Sequence, residues 1–199
     1  MKILIAGATG DTGLRLTRQL SKTEHEPIAM HRASSDISGL PEGVARREAD
    51  LTALKGDECD GVDVVVFAAG SGGDTGAEMT DKVDRDGARR LVDIAGEAGV
   101  KRFVMLSSVG AGDPDPDSEL GHYLEAKHDA DEHLIASGLA YTIVRPVALT
   151  DDDGSRNVRL GDEVDPQGKA ARGDVAAVLA RAATGPELEG RVFLMESAG

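Results

Sequence analysis

The sequence predicts an α/β protein in which helices cover both faces of a doubly wound, mostly parallel β-sheet that forms one domain. Three observations support this fold class. The length of 199 residues is typical of a single domain. Short, nearly continuous apolar segments alternate with longer amphipathic ones, as in parallel sheets that are buried on both faces. The first apolar segment runs directly into a glycine-rich turn and then into a helical pattern, which is the local order of a βαβ unit.

The individual elements follow from the apolar pattern in chain order. Apolar runs predict strands at 2–6, 27–31, 44–49, 62–69, 102–106, 141–144 and 191–195. Helical spacing predicts helices at 12–22, 84–98, 118–137 and 174–184. Leu16 and Leu20 lie on one face of the first helix, and Gly99 ends the second. Right-handed crossovers between such strands produce a doubly wound sheet.

The segment 147–173 departs from this alternation. It is polar, contains the run Asp151-Asp152-Asp153 and shows no clear periodicity. We predict that it forms a long loop over a substrate site, because loops in this position often cover ligands. A solvated acidic loop without such a role is the other interpretation of the same pattern.

The composition argues against several classes of function. The chain has 36 acidic and 22 basic residues, a formal net charge of −14 and only 3% aromatic residues. We expect nucleic acids and anionic membrane surfaces to repel such a chain. Because no signal peptide or membrane-spanning run is visible, we also expect a cytoplasmic protein. High Asp with low Lys resembles proteins from halophilic organisms, and an ordinary acidic protein is the alternative.

Cysteine and histidine form no pattern with a chemistry of its own. Cys59 is the only cysteine, so no internal disulfide can form. The acids Glu58 and Asp60 beside it disfavour a thiolate, and we interpret this cysteine as structural. The five histidines are scattered without metal-ligand spacing, so we predict no metal site.

The glycine turn is the strongest functional motif in the chain. Its three glycines are spaced G-x-x-G-x-x-G between the first strand and the first helix. The first allows a tight turn, the second leaves room for a pyrophosphate, and the third lets helix and strand pack closely. The helix offers free N–H groups to phosphates, although a tight turn without a ligand is the alternative. The residues predicted to bind a dinucleotide here are Gly7, Thr9, Gly10, Asp11, Thr12 and Gly13.

Residues after the second strand bear on the choice of cofactor. NAD-selective sites usually place an acid at the end of this strand, where it binds the ribose hydroxyl. Here Arg32 can pair with the 2′-phosphate of NADP, with hydroxyl donors from Ser34 and Ser35, unless it merely lies on the surface. Asp36 and Asp11 act against this preference through their negative charge. We predict NADP(H) as the cofactor, with NAD(H) as the alternative.

Two further segments are candidates for the cofactor groove. Asp50 and Leu51 follow the third strand and can reach the adenine edge, although Asp50 can instead cap the following turn. Ala68, Ala69 and Gly70 follow the fourth strand, and their small size lets a cofactor pass close to the backbone. A plain tight turn is the other interpretation of these three residues.

Tyr123 and Lys127 form the candidate catalytic pair. They are four residues apart in a predicted helix, so their side chains project from the same face. A tyrosine activated by a neighbouring cation can give a proton to a carbonyl oxygen as hydride reaches the carbon. The same Lys127 can hold the nicotinamide ribose, whereas a surface tyrosine is the alternative interpretation. At the end of the fifth strand, Ser108 or Ser107 can hold the substrate oxygen through its hydroxyl, and Ser107 is also predicted to bind the cofactor.

These motifs together resemble the atypical short-chain dehydrogenase/reductase family, and within it the small NAD(P)-binding branch of NmrA-like proteins and biliverdin reductase B. The matching stretches are 3–10, 32, 50–51, 100–108, 123–127 and 137–146, with a thinner match at 174–195. The resemblance implies one Rossmann domain over 1–199, with Arg32 at the 2′-phosphate and Pro146 near the nicotinamide. The chain departs from the family in Asp11, and it is too short for the C-terminal domain that holds sugar nucleotides in larger members.

Three functions are compatible with these residues. The first is an NAD(P)H-dependent oxidoreductase that acts on a small carbonyl, quinone or flavin through Ser108, Tyr123 and Lys127. The second is a binding module that senses the ratio of NADP+ to NADPH without turnover. The third is a sugar-nucleotide epimerase or dehydratase with tightly held NAD+. We predict the first, with an unidentified small-molecule substrate and a monomeric or homodimeric state.

Overall fold

The computed structural model describes residues 1–72 and 75–199, which are organised around a central sheet of eight strands. The strands of the protein are β1 (Lys2–Ala6), β2 (Glu26–His31), β3 (Ala45–Glu48), β4 (Val64–Phe67), β5 (Arg102–Leu106), β6 (Tyr141–Pro146), β7 (Ala148–Thr150), β8 (Val158–Leu160), β9 (Lys169–Ala171) and β10 (Arg191–Ser197). The order across the central sheet is β3-β2-β1-β4-β5-β6-β10-β8. All its neighbours are parallel except β8, which runs antiparallel to β10, and β7 and β9 form a separate parallel pair.

The helices cover the sheet from both sides. They are α1 (Asp11–Leu20), α2 (Ala77–Thr80), α3 (Ala88–Glu97), α4 (Gly121–Ala136) and α5 (Arg172–Thr184). A π-helical segment, Asp81–Gly87, joins α2 to α3 without a break. Within the described residues, none of the helices has the length and apolar character required to cross a bilayer.

Alternating residues of β1 supply the two halves of the core. Ile3 and Ile5 belong to the cluster that α1 and α5 cover, whereas Leu4 belongs to the cluster under α3 and α4. All three side chains are fully buried. This alternation is the period of two that a strand imposes on its side chains. The central strand is therefore packed on both faces, and its carboxyl end is held in a fixed position for the turn that follows.

The predicted fold class, an α/β domain with a doubly wound and mostly parallel sheet, is confirmed. The strands at 2–6 and 102–106 have the predicted boundaries. The second predicted helix begins earlier than expected, because helical structure starts at Ala77 rather than at 84. Only Thr80 is buried among the residues from 77 to 83, so no apolar stripe marks this part of the helix in the sequence.

The segment 147–173 is more regular than the predicted loop, because it contains β7, β8 and β9. Each of these strands has three residues, too few for an alternation of period two to show in the sequence. The edge strand β8 pairs with β10 through Leu160 and Met195. The position of the segment over a substrate site stays a prediction.

Asp174 links Arg156 of this segment to Ser197 of the edge-adjacent strand β10 through hydrogen bonds. Its side chain is fully buried near the start of α5. One carboxylate oxygen accepts hydrogen bonds from the backbone N–H (2.7 Å) and the guanidinium (3.1 Å) of Arg156, and the other accepts one from the Ser197 hydroxyl (2.6 Å). Burial alone raises the pKa of Asp174, but these hydrogen bonds outweigh it and hold the pKa below its ordinary value.

Replacing Asp174 by Asn is expected to lower the free energy of unfolding by about 2–3 kcal/mol at pH 7, because a buried carboxylate with three donors is lost. A depressed pKa in the folded state stabilises the protein above the unfolded pKa, about 3.9, and this contribution disappears as the pH falls through the folded pKa. Urea denaturation of both proteins at pH 7 and at about pH 3 checks this. An equal difference in stability at the two pH values contradicts the assignment.

Candidate functional site

Two of the three glycines in the turn are required by the packing of the protein itself. Gly7 ends β1 with φ +83°, and a Cβ there would lie 2.6 Å from Ala69 Cα. A Cβ on Gly13 would lie 2.1 Å from the Gly7 carbonyl oxygen. Both distances are far below a van der Waals contact, so any side chain would push α1 and β4 away from the turn.

Gly10 differs from these two glycines, because the protein could accept a side chain at this position. Its backbone is extended (φ −78°, ψ 167°), and a Cβ would meet only the Gly7 carbonyl oxygen, at an acceptable 3.4 Å. Gly10 is also the N-cap of α1, and in the part of the chain that the structure describes no side chain caps this helix. The first-turn N–H groups therefore remain available to an anionic ligand.

A cavity of about 360 Å³ opens beside this turn, at the carboxyl ends of β1, β2 and β4. It is lined by nine of the residues that the sequence predicts for the cofactor, namely Gly7, Thr9, Gly10, Arg32, Asp50, Leu51, Ala68, Ala69 and Gly70. Met79 and Val83 also line it, and sequence reasoning missed them because they precede the predicted helix. The cavity therefore lies at the carboxyl ends of parallel strands, where doubly wound sheets bind their ligands.

Six predicted residues do not line this cavity, namely Asp11, Thr12, Gly13, Ser107, Lys127 and Pro146. Asp11 instead faces Arg172, whose Nε lies 3.6 Å from its carboxylate and 3.0 Å from that of Asp151. Arg15 donates to the Asp151 carbonyl oxygen and approaches Asp153 at 3.4 Å. Two arginines therefore offset part of the negative charge of the three carboxylates beside the glycine turn.

The outer end of the cavity carries charges of both signs. Asp50 accepts hydrogen bonds from the Thr52 backbone N–H (2.9 Å) and hydroxyl (2.8 Å). These bonds hold the pKa of Asp50 below its ordinary value, and the nearby charge of Arg32 acts in the same direction. The Ser35 hydroxyl accepts a hydrogen bond from the Arg32 backbone N–H at 3.2 Å. Asp50 thus caps the turn, as one interpretation of the sequence expects, and it also lines the cavity.

Tyr123 and Lys127 lie on α4, and a buried ion pair holds the lysine. Lys127 Nζ is 5.6 Å from the centre of the Tyr123 ring and 5.8 Å from that of Phe67. The same nitrogen lies 2.8 Å from Asp84 Oδ1, and the two side chains are only 4% and 0% exposed. Burial disfavours the ammonium, but Tyr123, Asp84 and Asp131 outweigh it, so the pKa of Lys127 is raised.

The two serines at the end of β5 have different surroundings. The Ser107 hydroxyl donates to Asp131 Oδ2 (2.7 Å), and the same oxygen accepts from Arg145 Nε (3.0 Å) and Nη2 (2.9 Å). Burial raises the pKa of Asp131, although the bonds from Ser107 and Arg145 oppose this. Ser108 is half-buried, and among the described residues no partner occupies its hydroxyl.

The loop after β5 is tied to α4. His128 Nδ1 donates to the Ala111 carbonyl oxygen (2.8 Å), and Gly110 packs against Leu124. This attachment brings the segment that carries Ser108 to the helix that carries Tyr123 and Lys127. Within the described ranges, His, Cys, Asp and Glu form no group of three or more with the arrangement of a metal site.

Sequence reasoning missed Asp84 and Asp131, the two buried carboxylates around Lys127, although a signal for each is present. Asp84 is four and seven residues before the buried Ala88 and Leu91. It therefore falls on the apolar stripe of its helix, where an acid is unusual. Asp131 is similarly placed between the buried Ala130 and Leu134. An acid in line with core positions indicates a buried partner.

Comparison with known proteins identifies relatives over nearly the whole chain. The model of a family described as NAD(P)H-binding matches residues 7–186. The chain is 36% identical over 201 residues to uncharacterized sugar epimerase YhfK of Bacillus subtilis (strain 168), covering 97% of this chain and 92% of that protein. The structure of this chain is similar to that of a Bacillus halodurans protein with the provisional name NAD-dependent epimerase/dehydratase. The TM-score is 0.90 and the identity is 35%, and the match covers 100% of this chain and 94% of that one. The oxidoreductase ylbE of Lactococcus lactis is also similar (TM-score 0.87, 31% identity, 100% and 91% coverage).

Proposed function

Because the chain belongs to this NAD(P)H-binding family, we propose that it is an NAD(P)H-dependent oxidoreductase of the atypical short-chain type that reduces a small carbonyl, quinone or flavin. The observation that carries the proposal is the buried lysine held beside Tyr123 on α4. The name oxidoreductase given to ylbE of Lactococcus lactis, 31% identical, supports the same reaction class.

The residues present fit a dinucleotide. The open side of Gly10, the free N–H groups at the start of α1 and the cavity beside them suit a pyrophosphate followed by an adenosine. Gly7, Thr9 and Gly10 would hold the phosphates, and Leu51 and Ala69 would contact the adenosine half. When bound, the reduced nicotinamide supplies a hydride to the substrate.

The remaining chemistry falls to residues of the chain itself. Tyr123 donates a proton from its hydroxyl to the substrate oxygen, and the adjacent ammonium of Lys127 stabilises the resulting phenolate. Ser108 orients the substrate oxygen through its hydroxyl, whereas Ser107 fixes the end of β5 through Asp131. Lys127 would also hold the nicotinamide ribose, and Pro146 would face the nicotinamide ring.

The preferred cofactor in this proposal is NADPH, and Arg32 is its selectivity residue. The support is that Arg32 and Ser35 line the outer end of the cavity. Replacing Arg32 by Ala is expected to raise the Kd for NADPH about 10–100-fold and to change that for NADH about twofold, because a charge-assisted pair with the 2′-phosphate is lost. Nicotinamide fluorescence titration checks both values. The matched control is Arg46→Ala, an exposed arginine on β3 that does not line the cavity.

The reaction class is tested by assaying the purified protein with NADPH against a panel of carbonyls, quinones and flavins. NADPH-dependent reduction of one of these classes supports the proposal. Tight, form-selective cofactor binding without turnover on the whole panel instead supports a redox-sensing module. NADH bound as tightly as NADPH by the wild-type protein removes the role of Arg32.

A second candidate is sugar-nucleotide epimerase or dehydratase chemistry. The observation that favours it is the name sugar epimerase given to the Bacillus subtilis relative, 36% identical over 97% of this chain. Such an enzyme keeps its NAD+ through the catalytic cycle. Release of NAD+ from the purified protein on denaturation therefore distinguishes it from the reductase, which exchanges its cofactor at each turnover.

A further inference from the structure

We propose that Asp84 is a positioning residue that holds Lys127 against Tyr123, and that it ties this pair to the wall of the cofactor cavity. This inference rests on the proposed reductase function. The proton transfer from Tyr123 requires the Lys127 ammonium to stay beside the phenol, and the ion pair with Asp84 provides this restraint.

The two oxygens of the Asp84 carboxylate bind different parts of the site. Oδ1 lies 2.8 Å from Lys127 Nζ on α4. Oδ2 accepts a hydrogen bond from the Ser71 backbone N–H at 2.9 Å. Ser71 lines the cavity at the carboxyl end of β4, directly after Gly70. Asp84 therefore spans the distance between the cofactor cavity and the catalytic helix.

The local backbone suits this function. Asp84 lies in the π-helical segment, and with Gly87 it is one of the two buried residues there. Gly87 brings the helix close to the loop after β3, where a Cβ would lie 2.9 Å from the Leu51 carbonyl oxygen. Gly70 leaves space on the other side, where a Cβ would lie 3.3 Å from Asp84 Oδ1. π-Helical turns inside α-helices occur frequently at functional sites, where they redirect a side chain.

The charges around Lys127 explain why this position needs a carboxylate. Asp84 faces the ammonium from the π-helical segment, while Asp131 and Tyr123 face it from α4. Asp131 is already bound by Ser107 and Arg145. Asp84 is consequently the direct ionic partner of Lys127, and without it a buried ammonium would move or lose its proton.

Replacing Asp84 by Asn tests the proposal. We expect kcat to fall about 10–100-fold while the Kd for NADPH and the KM for substrate change about threefold or less, because a small displacement of a catalytic pair affects chemistry more than binding. We also expect Lys127 Nζ, followed by ¹⁵N NMR and assigned with Lys127→Arg, to titrate at a lower pH than in the wild type. The control is Glu196→Gln, which removes a buried carboxylate paired with Arg159. It is expected to leave both readings unchanged.

The outcomes separate this inference from the proposed function. An unchanged kcat and an unchanged Lys127 titration in Asp84→Asn overturn the inference. If the wild-type protein reduces no substrate in the panel, the proposed function fails, and the Lys127 titration alone decides the role of Asp84. If Asp84→Asn does not fold, Asp84→Glu keeps the charge and shifts it by one methylene. A drop of about fivefold or more in its kcat then supports positioning, and an unchanged kcat contradicts it.

Discussion

Replacing Tyr123 by Phe is expected to lower kcat by about 10²–10⁴-fold while the Kd for NADPH stays within about twofold. The hydroxyl is the proposed proton donor, and the ammonium of Lys127 lies 5.6 Å from the centre of the ring that carries it. Tyr123 does not line the cavity beside the glycine turn, so cofactor binding is expected to survive the substitution. Steady-state kinetics with the substrate found in the panel and a fluorescence titration with NADPH measure the two effects.

Tyr141 provides a matched control, because it is the only other tyrosine in the chain. It begins β6, at the opposite end of the strand from the proposed site. Tyr141→Phe is expected to retain wild-type kcat and Kd. Equal turnover in Tyr123→Phe and the wild type removes Tyr123 as the acid. A reductase that transfers hydride to a flavin without enzymatic protonation is compatible with that result.

Replacing Gly10 by Val is expected to weaken cofactor binding roughly 100-fold while lowering the free energy of unfolding by only about 1 kcal/mol, the cost of a poorer N-cap residue on α1. The substitution places methyl groups where the pyrophosphate would approach the start of α1. Loss of two hydrogen bonds to a charged phosphate, at about 1.5 kcal/mol each, corresponds to roughly two orders of magnitude in Kd. The extended backbone of Gly10 accepts an L-residue, and the protein itself leaves space for a Cβ.

Gly13→Ala is the control for the effects of Gly10→Val on cofactor affinity and on stability. The Cβ of Ala at position 13 would lie 2.1 Å from the Gly7 carbonyl oxygen. It is expected to destabilise the fold by about 1–3 kcal/mol, as overpacking of a close contact does. Thermal melts and NADPH titrations of both variants separate the two roles. Wild-type affinity in Gly10→Val would mean that the phosphates bind elsewhere. A strongly lowered melting temperature in the same variant would mean that the protein, and not the ligand, needs this glycine.

The lining of the cavity beside the glycine turn could be predicted from the sequence because its signals are local. The strand, the glycine turn and the helix are consecutive at 2–20, and Arg32 directly follows β2. The buried ion pair beneath Tyr123 could not be predicted in this way, since Asp84 and Lys127 meet only when α4 packs on the π-helical segment. Their positions on apolar stripes indicate that each is buried, but not which residue each one binds.

The segment 147–173 shows a second limit of sequence reasoning. Its three strands are defined by pairing with distant residues, as in the register of Ser197 with Val158 and of Ala148 with Lys169. With three residues in each strand, the local sequence contains no periodic signal for them. Tertiary contacts, rather than propensity, determine the structure here.

The close approach of Gly7 to Ala69 has a consequence for the folding pathway. The turn is complete only when β4 has paired with β1, in the register of Ile3 with Val64, and these strands are distant in sequence. A chain in which only β1, α1 and β2 are folded would therefore contain the glycine motif without a finished binding site. Because the site exists only when β4 is paired with β1, a dinucleotide that binds there stabilises the completed sheet and not the partly folded chain. Cofactor binding is then expected to raise the free energy of unfolding of the complete sheet.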